Sequence, residues 1–325
     1  MEKRPLGKSG FSVAPLALGG NVFGWTADEA TSFAILDRFA DEGFDLVDTA
    51  NTYSTWVPGH TGGESETIIG KWLARSGKRD RIVLATKVGM AFEGEVGLKR
   101  AQIEKHAEAS LRRLRTDRID LYQLHNPRIE PILADDLWAE LEALRGEGKV
   151  RELGVALGPA IGWVEEGLVA IRDRSIVSLQ TVFNVLEQEP GLTFAAEPKV
   201  VDGQVGLISR VPHASDALSG KVTRDTVFPP GDHRAHRNRE NMLDNFDKAD
   251  TLAFLWEGTG RTRGQAAIAG ILANPAFTTV LPTCVDVDEV REYAAASEMP
   301  LSDDERAKLD EMWQNNFGIV NRYEM

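Results

Sequence analysis

The feature that most restricts this chain is a repeated alternation in which eight short apolar runs are each followed by a segment of helical period. The runs are Pro15–Leu18, Phe44–Asp48, Ile82–Thr86, Ile119–Leu124, Glu152–Val155, Val177–Thr181, Val205–Ser209 and Thr278–Leu281. The helical segments are Asp28–Glu42, Ser65–Ala74, Arg100–Leu114, Leu133–Gly146, Ile161–Arg172, Leu192–Glu197, Asn241–Glu257 and Val287–Ala296. Eight βα units in a chain of 325 residues match a (β/α)8 TIM barrel better than a doubly wound sheet, and no GxGxxG motif follows an early strand. Two pieces lie outside the repeat. Arg4–Val13, with Lys8-Ser9-Gly10 between short strand-like stretches, predicts a hairpin that closes the barrel bottom. Ser302–Trp313 opens with Ser-Asp-Asp-Glu and predicts an extra C-terminal helix on the outside. With no low-complexity linker, residues 1–325 are expected to form one α/β domain.

Composition narrows the function classes. A content of 42% hydrophobic and 27% charged residues suits a chain with a sizeable core. The formal charge of -13 works against general affinity for nucleic acid or anionic membranes, with HRAHRNR at 233–239 as the one local basic patch. Cys284 is the single cysteine, and the six histidines are scattered, so neither a disulfide nor a structural metal is expected. The N-terminus has no apolar run of the signal-peptide kind and no segment has membrane-spanning length, so the expectation is a cytoplasmic protein acting on small molecules.

In a parallel barrel the chemistry collects where strands run into the loops that follow. Three consecutive runs end in DTANTY (48–53), TKVG (86–89) and LHNP (124–127). Adjacent strands lie roughly 5 Å apart, so Asp48, Lys87 and His125 can converge, with Tyr53 folding over from its loop. A lysine at an apolar barrel mouth needs a counterion, which Asp48 can supply. A charged Lys87 beside Tyr53 stabilises a phenolate, so the phenol can give a proton to a carbonyl oxygen or take one from an alcohol. His125 would orient that oxygen. Singly, each residue has an ordinary structural use, as turn cap, solvated charge or packing. Together they make a complementary catalytic group.

These residues resemble the aldo-keto reductase superfamily. The resemblance rests on Leu18-Gly19-Gly20, DTANTY, GESETIIGKWL (63–73), ATKVG (85–89), RIDLYQLHNP (118–127), GKVRELGV (148–155), LQTVFNVLE (179–187) and LSGK (218–221). It implies a TIM barrel that binds a nicotinamide cofactor, NAD(P)H, in extended form, with Tyr53 as general acid or base and Asp48, Lys87 and His125 tuning or orienting it. On the cofactor side it implies Gln180 and Asn126 at the carboxamide, Pro212, Leu218 and Gly220 in the loop after strand seven, Thr283 after strand eight, and Glu292 near the adenine. The chain departs from the family in places. Val155-Ala156-Leu157-Gly158 lacks the family's Ser-Asn pair, Tyr293 replaces an Asn, and Arg210 stands where an aromatic would stack on the ring, so that its guanidinium is expected to bind the cofactor by stacking there or by holding phosphate. Acidic residues after the last strand, Asp286, Asp288 and Glu289, favour NADH over NADPH. Loop residues 228–241, with Arg234, Arg237 and Arg239, are expected either to close over a pyrophosphate or to stay solvated. Asn21, Phe23, Trp25, Trp56 and Met90 are expected to line the substrate pocket around a carbonyl or alcohol. The alternative is a redox-sensing, cofactor-binding regulatory subunit of the same fold with little turnover.

Overall fold

The computed structural model describes residues 2–90, 98, 100–159, 162–228 and 238–322. Its first element is the expected hairpin, β1 (Arg4–Pro5) antiparallel to β2 (Ser12–Val13). Ser9 ties the turn, donating from Oγ to Leu6 O at 2.7 Å and accepting from Phe11 N at 3.0 Å. Eight parallel strands follow: β3 (Leu18–Gly19), β4 (Leu46–Asp48), β5 (Val83–Val88), β6 (Ile119–His125), β7 (Val150–Ala156), β8 (Ser178–Val182), β9 (Gly206–Arg210) and β10 (Phe277–Leu281). The helices are α1 (Glu29–Asp41), α2 (Glu64–Ser76), α3 (Arg100–Leu114), α4 (Ile129–Leu133), α5 (Asp135–Gly146), α6 (Val164–Asp173), α7 (Gly191–Ala195), α8 (Pro198–Val201), α9 (Arg239–Asp250), α10 (Arg263–Leu272), α11 (Val287–Ala295) and α12 (Asp303–Gln314). Among the described residues no helix is long and apolar enough to cross a membrane.

Each strand from β3 to β10 pairs with the next in the chain. The two ends then meet through parallel bridges Leu16↔Val280 and Gly19↔Thr283, with Ala17 N donating to Val280 O at 2.8 Å and Val280 N to Pro15 O at 2.9 Å. The sheet closes on itself, giving a (β/α)8 barrel with an N-terminal hairpin and an extra C-terminal helix. Among the described residues the apolar ones pack in three clusters, one of which joins α9, α10 and α12 through Met242, Phe246, Ala266 and Leu309. Leu36, Phe39, Ile69, Trp72, Leu124 and Ile171 lie in the larger cluster that joins helices to strands. Ala17, Leu46, Ala85, Leu121 and Ile208 form a separate cluster with Leu6 and Val13 of the hairpin. The hairpin therefore stoppers one end of the barrel, and the polar residues at the strand C-termini face the other.

Two helix assignments are corrected. The pattern over Asn241–Glu257 predicts a single helix before the last strand, whereas the structure has α9 at Arg239–Asp250, a 3-10 turn at Ala253–Leu255, and a separate α10 packed on β10. Ala266, Ala267, Ile268, Ala269 and Ile271 of α10 are all buried, so no polar stripe marks its period. Its readable signal is the capping box, in which Thr262 caps Gln265 and Gln265 caps Thr262 in return. Helix α12 carries the same device at Ser302 and Glu305, as the Ser-Asp-Asp-Glu start predicts. The segment expected as Leu192–Glu197 is two short helices, α7 and α8.

Candidate active site

Alternation along β5 buries Ala85 in the lower barrel cluster and aims Lys87 into the layer above it. The lysine is 0% exposed, and its ammonium makes three hydrogen bonds: to the Asp48 carboxylate, to Thr49 O at 2.9 Å and to the Tyr53 hydroxyl oxygen at 2.8 Å. Asp48, 1% exposed, also accepts from Gln123 Nε2 at 2.8 Å and from Gln180 Nε2 at 3.2 Å. A buried ion pair of this kind is sustained only when hydrogen bonds satisfy its remaining atoms, and here side chains from β4, β5, β6 and β8 do so. Gln123 was not singled out from the sequence. Its signal was its position two residues before His125 on the same strand, hence on the same face.

The Asp48–Tyr53 loop is held from two sides. Thr49 Oγ1 hydrogen-bonds Ser65 Oγ at 2.8 Å, and Ser65 Oγ donates to Gly20 O at 2.7 Å, which ties the loop to α2 and to the segment after β3. Ser54, with φ of 74°, donates from Oγ to Phe23 O at 2.9 Å. Beneath, Glu66 accepts from Thr86 Oγ1 and Arg113 Nε, each at 2.6 Å, and so fixes β5 against α2 and α3. The GESE stretch thus holds the Asp48–Tyr53 loop through Ser65 and steadies β5 through Glu66.

His125 closes the group from β6, its ring 6.0 Å from that of Tyr53 and nearly perpendicular to it. Burial, followed by the positive charges of Lys87 and Arg210, holds its pKa well below the usual histidine range. The imidazole is therefore neutral at neutral pH, with one N–H to donate. Its Nδ1 is buried without a partner.

Around the mouth, Trp25 and Trp56 meet edge to face at 5.7 Å, and Trp56 meets Tyr53 at 6.2 Å, forming an aromatic wall that leads to the phenol. Met90 is exposed and its sulfur accepts from Asn126 Nδ2 at 3.4 Å, while Asn21 Oδ1 accepts from Thr283 Oγ1 at 3.0 Å. Phe23 is corrected. It is 0% exposed within the cluster between helices and barrel, so it packs behind the wall and does not line a pocket.

The opposite half of the mouth is built differently. Asn126 has φ of 52° and a buried Oδ1 with no partner. After β7, Trp163 lies so close to Gly158 that a Cβ there would sit 2.1 Å from the indole, and the Arg128 guanidinium lies over the Trp163 ring at 4.1 Å. Arg210 reaches from the end of β9 past β8 and donates from Nη1 to Leu157 O at 2.6 Å. The next turn is strained, with Val211, Ala214, Ser215 and Asp216 at φ of 56°, 47°, 56° and 78°. Within it Pro212 and Leu218 are buried, and Gly220 is exposed.

Beyond that turn, His213 packs against Tyr293 with ring centroids 4.7 Å apart, its Nε2 lies 3.3 Å from Gly264 O, and burial pushes its pKa down to about 4. Glu292 accepts from Thr262 Oγ1 at 2.6 Å. Buried Glu289 accepts from Val285 N at 2.6 Å and pairs with Lys221. Of the basic loop, residues 229–237, including Arg234 and Arg237, lie outside the described residues; Arg239 is exposed and donates to backbone carbonyls of Thr226 and Arg224. His213 and Trp163 did not stand out in the sequence, because their partners Tyr293 and Arg128 lie elsewhere in the chain; Glu289 did, and the structure adds its pairing with Lys221.

The model of the Aldo/keto reductase family matches residues 15–314. An uncharacterized oxidoreductase of Bacillus subtilis (strain 168), YrpG, is 32% identical, with 93% of this chain and 92% of that protein covered. The NADH-specific methylglyoxal reductase of Escherichia coli (strain K12) is 28% identical over 96% of this chain and 98% of its own. Among solved structures, an aldo-keto reductase from Bacillus halodurans in its holo form superposes with a TM-score of 0.75 at 30% identity, covering 96% of both chains.

Proposed function

Since the chain belongs to the aldo/keto reductase family, we propose that it interconverts a small carbonyl compound and the corresponding alcohol with a nicotinamide cofactor, preferring NADH, with Tyr53 as the general acid and base. The observation that carries this reading is Lys87, buried and hydrogen-bonded at once to Asp48 and to the Tyr53 hydroxyl oxygen. The Tyr53 O–H is free to point away from Lys87 toward the mouth and can protonate a carbonyl oxygen there. The phenolate left behind accepts from the Lys87 ammonium, whose own charge is balanced by Asp48. Neutral His125 donates a hydrogen bond to the same oxygen without adding charge. In the reverse direction the phenolate takes the alcohol proton.

The bound nicotinamide supplies or accepts the hydride. Asn126 suits its carboxamide, since Oδ1 is a buried acceptor with no partner in the chain. Gln180, already donating to Asp48, stands beside it as the second proposed carboxamide residue. Pro212, Leu218, Gly220, Thr283 and Glu292 are proposed to line the path of the rest of the cofactor. Support for NADH comes from Glu289, whose buried carboxylate takes the donors of Lys221 and Val285 at the start of α11 and repels a second anion. The NADH-specific reductase of Escherichia coli is a relative of matching length.

Tryptophan-fluorescence titration with NADH and NADPH, followed by turnover of a carbonyl panel, tests the reading. NADH is expected to bind more tightly, and Tyr53→Phe to retain binding while losing about 100- to 10,000-fold in kcat. Binding of neither cofactor would sink the proposal. Binding with no turnover would favour the regulatory reading, which the Trp163 packing over Gly158 and the missing Ser-Asn pair support.

A further inference from the structure

Arg210 is a cation at the barrel mouth whose charge nothing described in the chain balances. Lys87 is neutralised by Asp48, and Arg128, a second cation after β6, pairs with Glu166 at 3.0 Å. Among the described residues Arg210 meets no carboxylate, and its hydrogen bond is to a backbone carbonyl. That bond also locates the guanidinium. Leu157 directly follows Ala156, which is paired in register with His125, so the group lies over the mouth beside the catalytic histidine, and its charge contributes to lowering the His125 pKa. A guanidinium carries five N–H donors in a planar fork matched to carboxylates and phosphates, and most of this fork is uncommitted. A half-buried, unbalanced charge gains most from an anion that enters with it.

We propose that Arg210 is a specificity-determining residue that binds an anionic group on the substrate, so that the favoured substrates are short oxo acids, or the matching hydroxy acids, whose carboxylate lies close to the reacting carbonyl. The substrate class rests on the reductase reading, whereas the anion site does not. In the forward reaction the carbonyl carbon gains a hydride, with its electron pair, from NADH. The carbonyl oxygen gains the Tyr53 proton, and the products are the hydroxy acid and NAD+. Arg210 takes no part in these transfers. It holds the carboxylate so that the carbonyl oxygen meets Tyr53 and His125.

The test has two arms, run at constant ionic strength on wild type, Arg210→Gln and Arg210→Lys, with the fold of each variant checked by thermal melting. The first is calorimetric titration with oxalate, an unreactive stand-in for an oxo acid. Oxalate is expected to bind wild type at millimolar concentration or below, about 10- to 100-fold more weakly to Arg210→Gln, and with intermediate affinity to Arg210→Lys. The second compares glyoxylate with methylglyoxal, one anionic and one neutral aldehyde, using NADH. The ratio of their kcat/KM values is expected to fall by about the same factor in Arg210→Gln.

The proposal is overturned if oxalate does not bind wild type, if it binds both proteins alike, or if the ratio is unchanged because both aldehydes lose equally. Loss of NADH affinity in Arg210→Gln with oxalate binding unaltered would make Arg210 a cofactor ligand and likewise overturn it. If neither aldehyde is turned over while oxalate still depends on Arg210, the anion site stands and the reductase reading fails.

Discussion

The two halves of the barrel mouth are built on different principles. At the ends of β4 and β5 the polar side chains are satisfied, with help from β6 and β8: Lys87 uses all three of its donors, and Asp48 accepts from residues on three other strands, whereas His125 Nδ1 and Asn126 Oδ1 at the end of β6 stay open. At the ends of β7 to β10, side chains lean on backbone carbonyls, on aromatic faces and on a left-handed turn, and most of the Arg210 fork stays open. A proton has to be moved at one fixed point, which a closed and rigid network serves well. Holding extended or variable ligands can be done with many combinations of contacts, so that half tolerates substitution.

The largest test of this contrast is Lys87→Met, which leaves Asp48 buried without its cation. Urea unfolding is expected to show a loss of about 3–5 kcal/mol, with carbonyl turnover at least about 100-fold lower. A stable but inactive variant would mean that the closed half does not contribute to holding β4 against β5.

The next concerns His213 in the open half. Unfolded, this histidine takes up a proton near the ordinary value of 6.5; folded, it does so only at about 4. Between those values the unfolded chain binds more protons, so stability is lost as pH falls through the window and recovered as pH rises above it. The group accounts for about 3 kcal/mol across the whole window. Comparing denaturant midpoints of wild type and His213→Gln over that range isolates this share from that of His125, which acts in the same direction. An unchanged slope in the variant would show that the His213–Tyr293 packing does not keep the ring neutral.

The smallest expected effect is on cofactor choice. Glu289→Ala frees Lys221 and the Val285 N–H, and the ratio of NADPH to NADH affinity is expected to rise about tenfold. No change in that ratio would remove Glu289 from the specificity argument and leave its role as a cap for the loop before α11.

Legibility of the fold followed how each element is buried. The eight strands were readable because strands of a closed parallel barrel are buried on both faces and form apolar runs bounded by turns. Amphipathic α1 and α3 were readable from their period, with α1 beginning right after its Asp28 cap. Helix α10 was not, because burial on nearly all sides removes the contrast that periodicity depends on. Phe23 looked like a pocket residue because of its place after a strand, yet the chain turns there and carries the ring into the outer core.

What the sequence by itself determined was the barrel and the convergence of Asp48, Tyr53, Lys87 and His125, because both arise from local order: strand ends recur at regular intervals, and consecutive strands are neighbours in space. Tertiary structure alone decided which polar groups are satisfied. Gln123 and Gln180 reach Asp48 from strands 75 and 132 residues along the chain, and Arg210 meets Leu157 across 53. Such pairings depend on side-chain reach across the barrel, which no local pattern encodes. The charge left open at Arg210 is visible only once Lys87 and Arg128 have been matched with their partners.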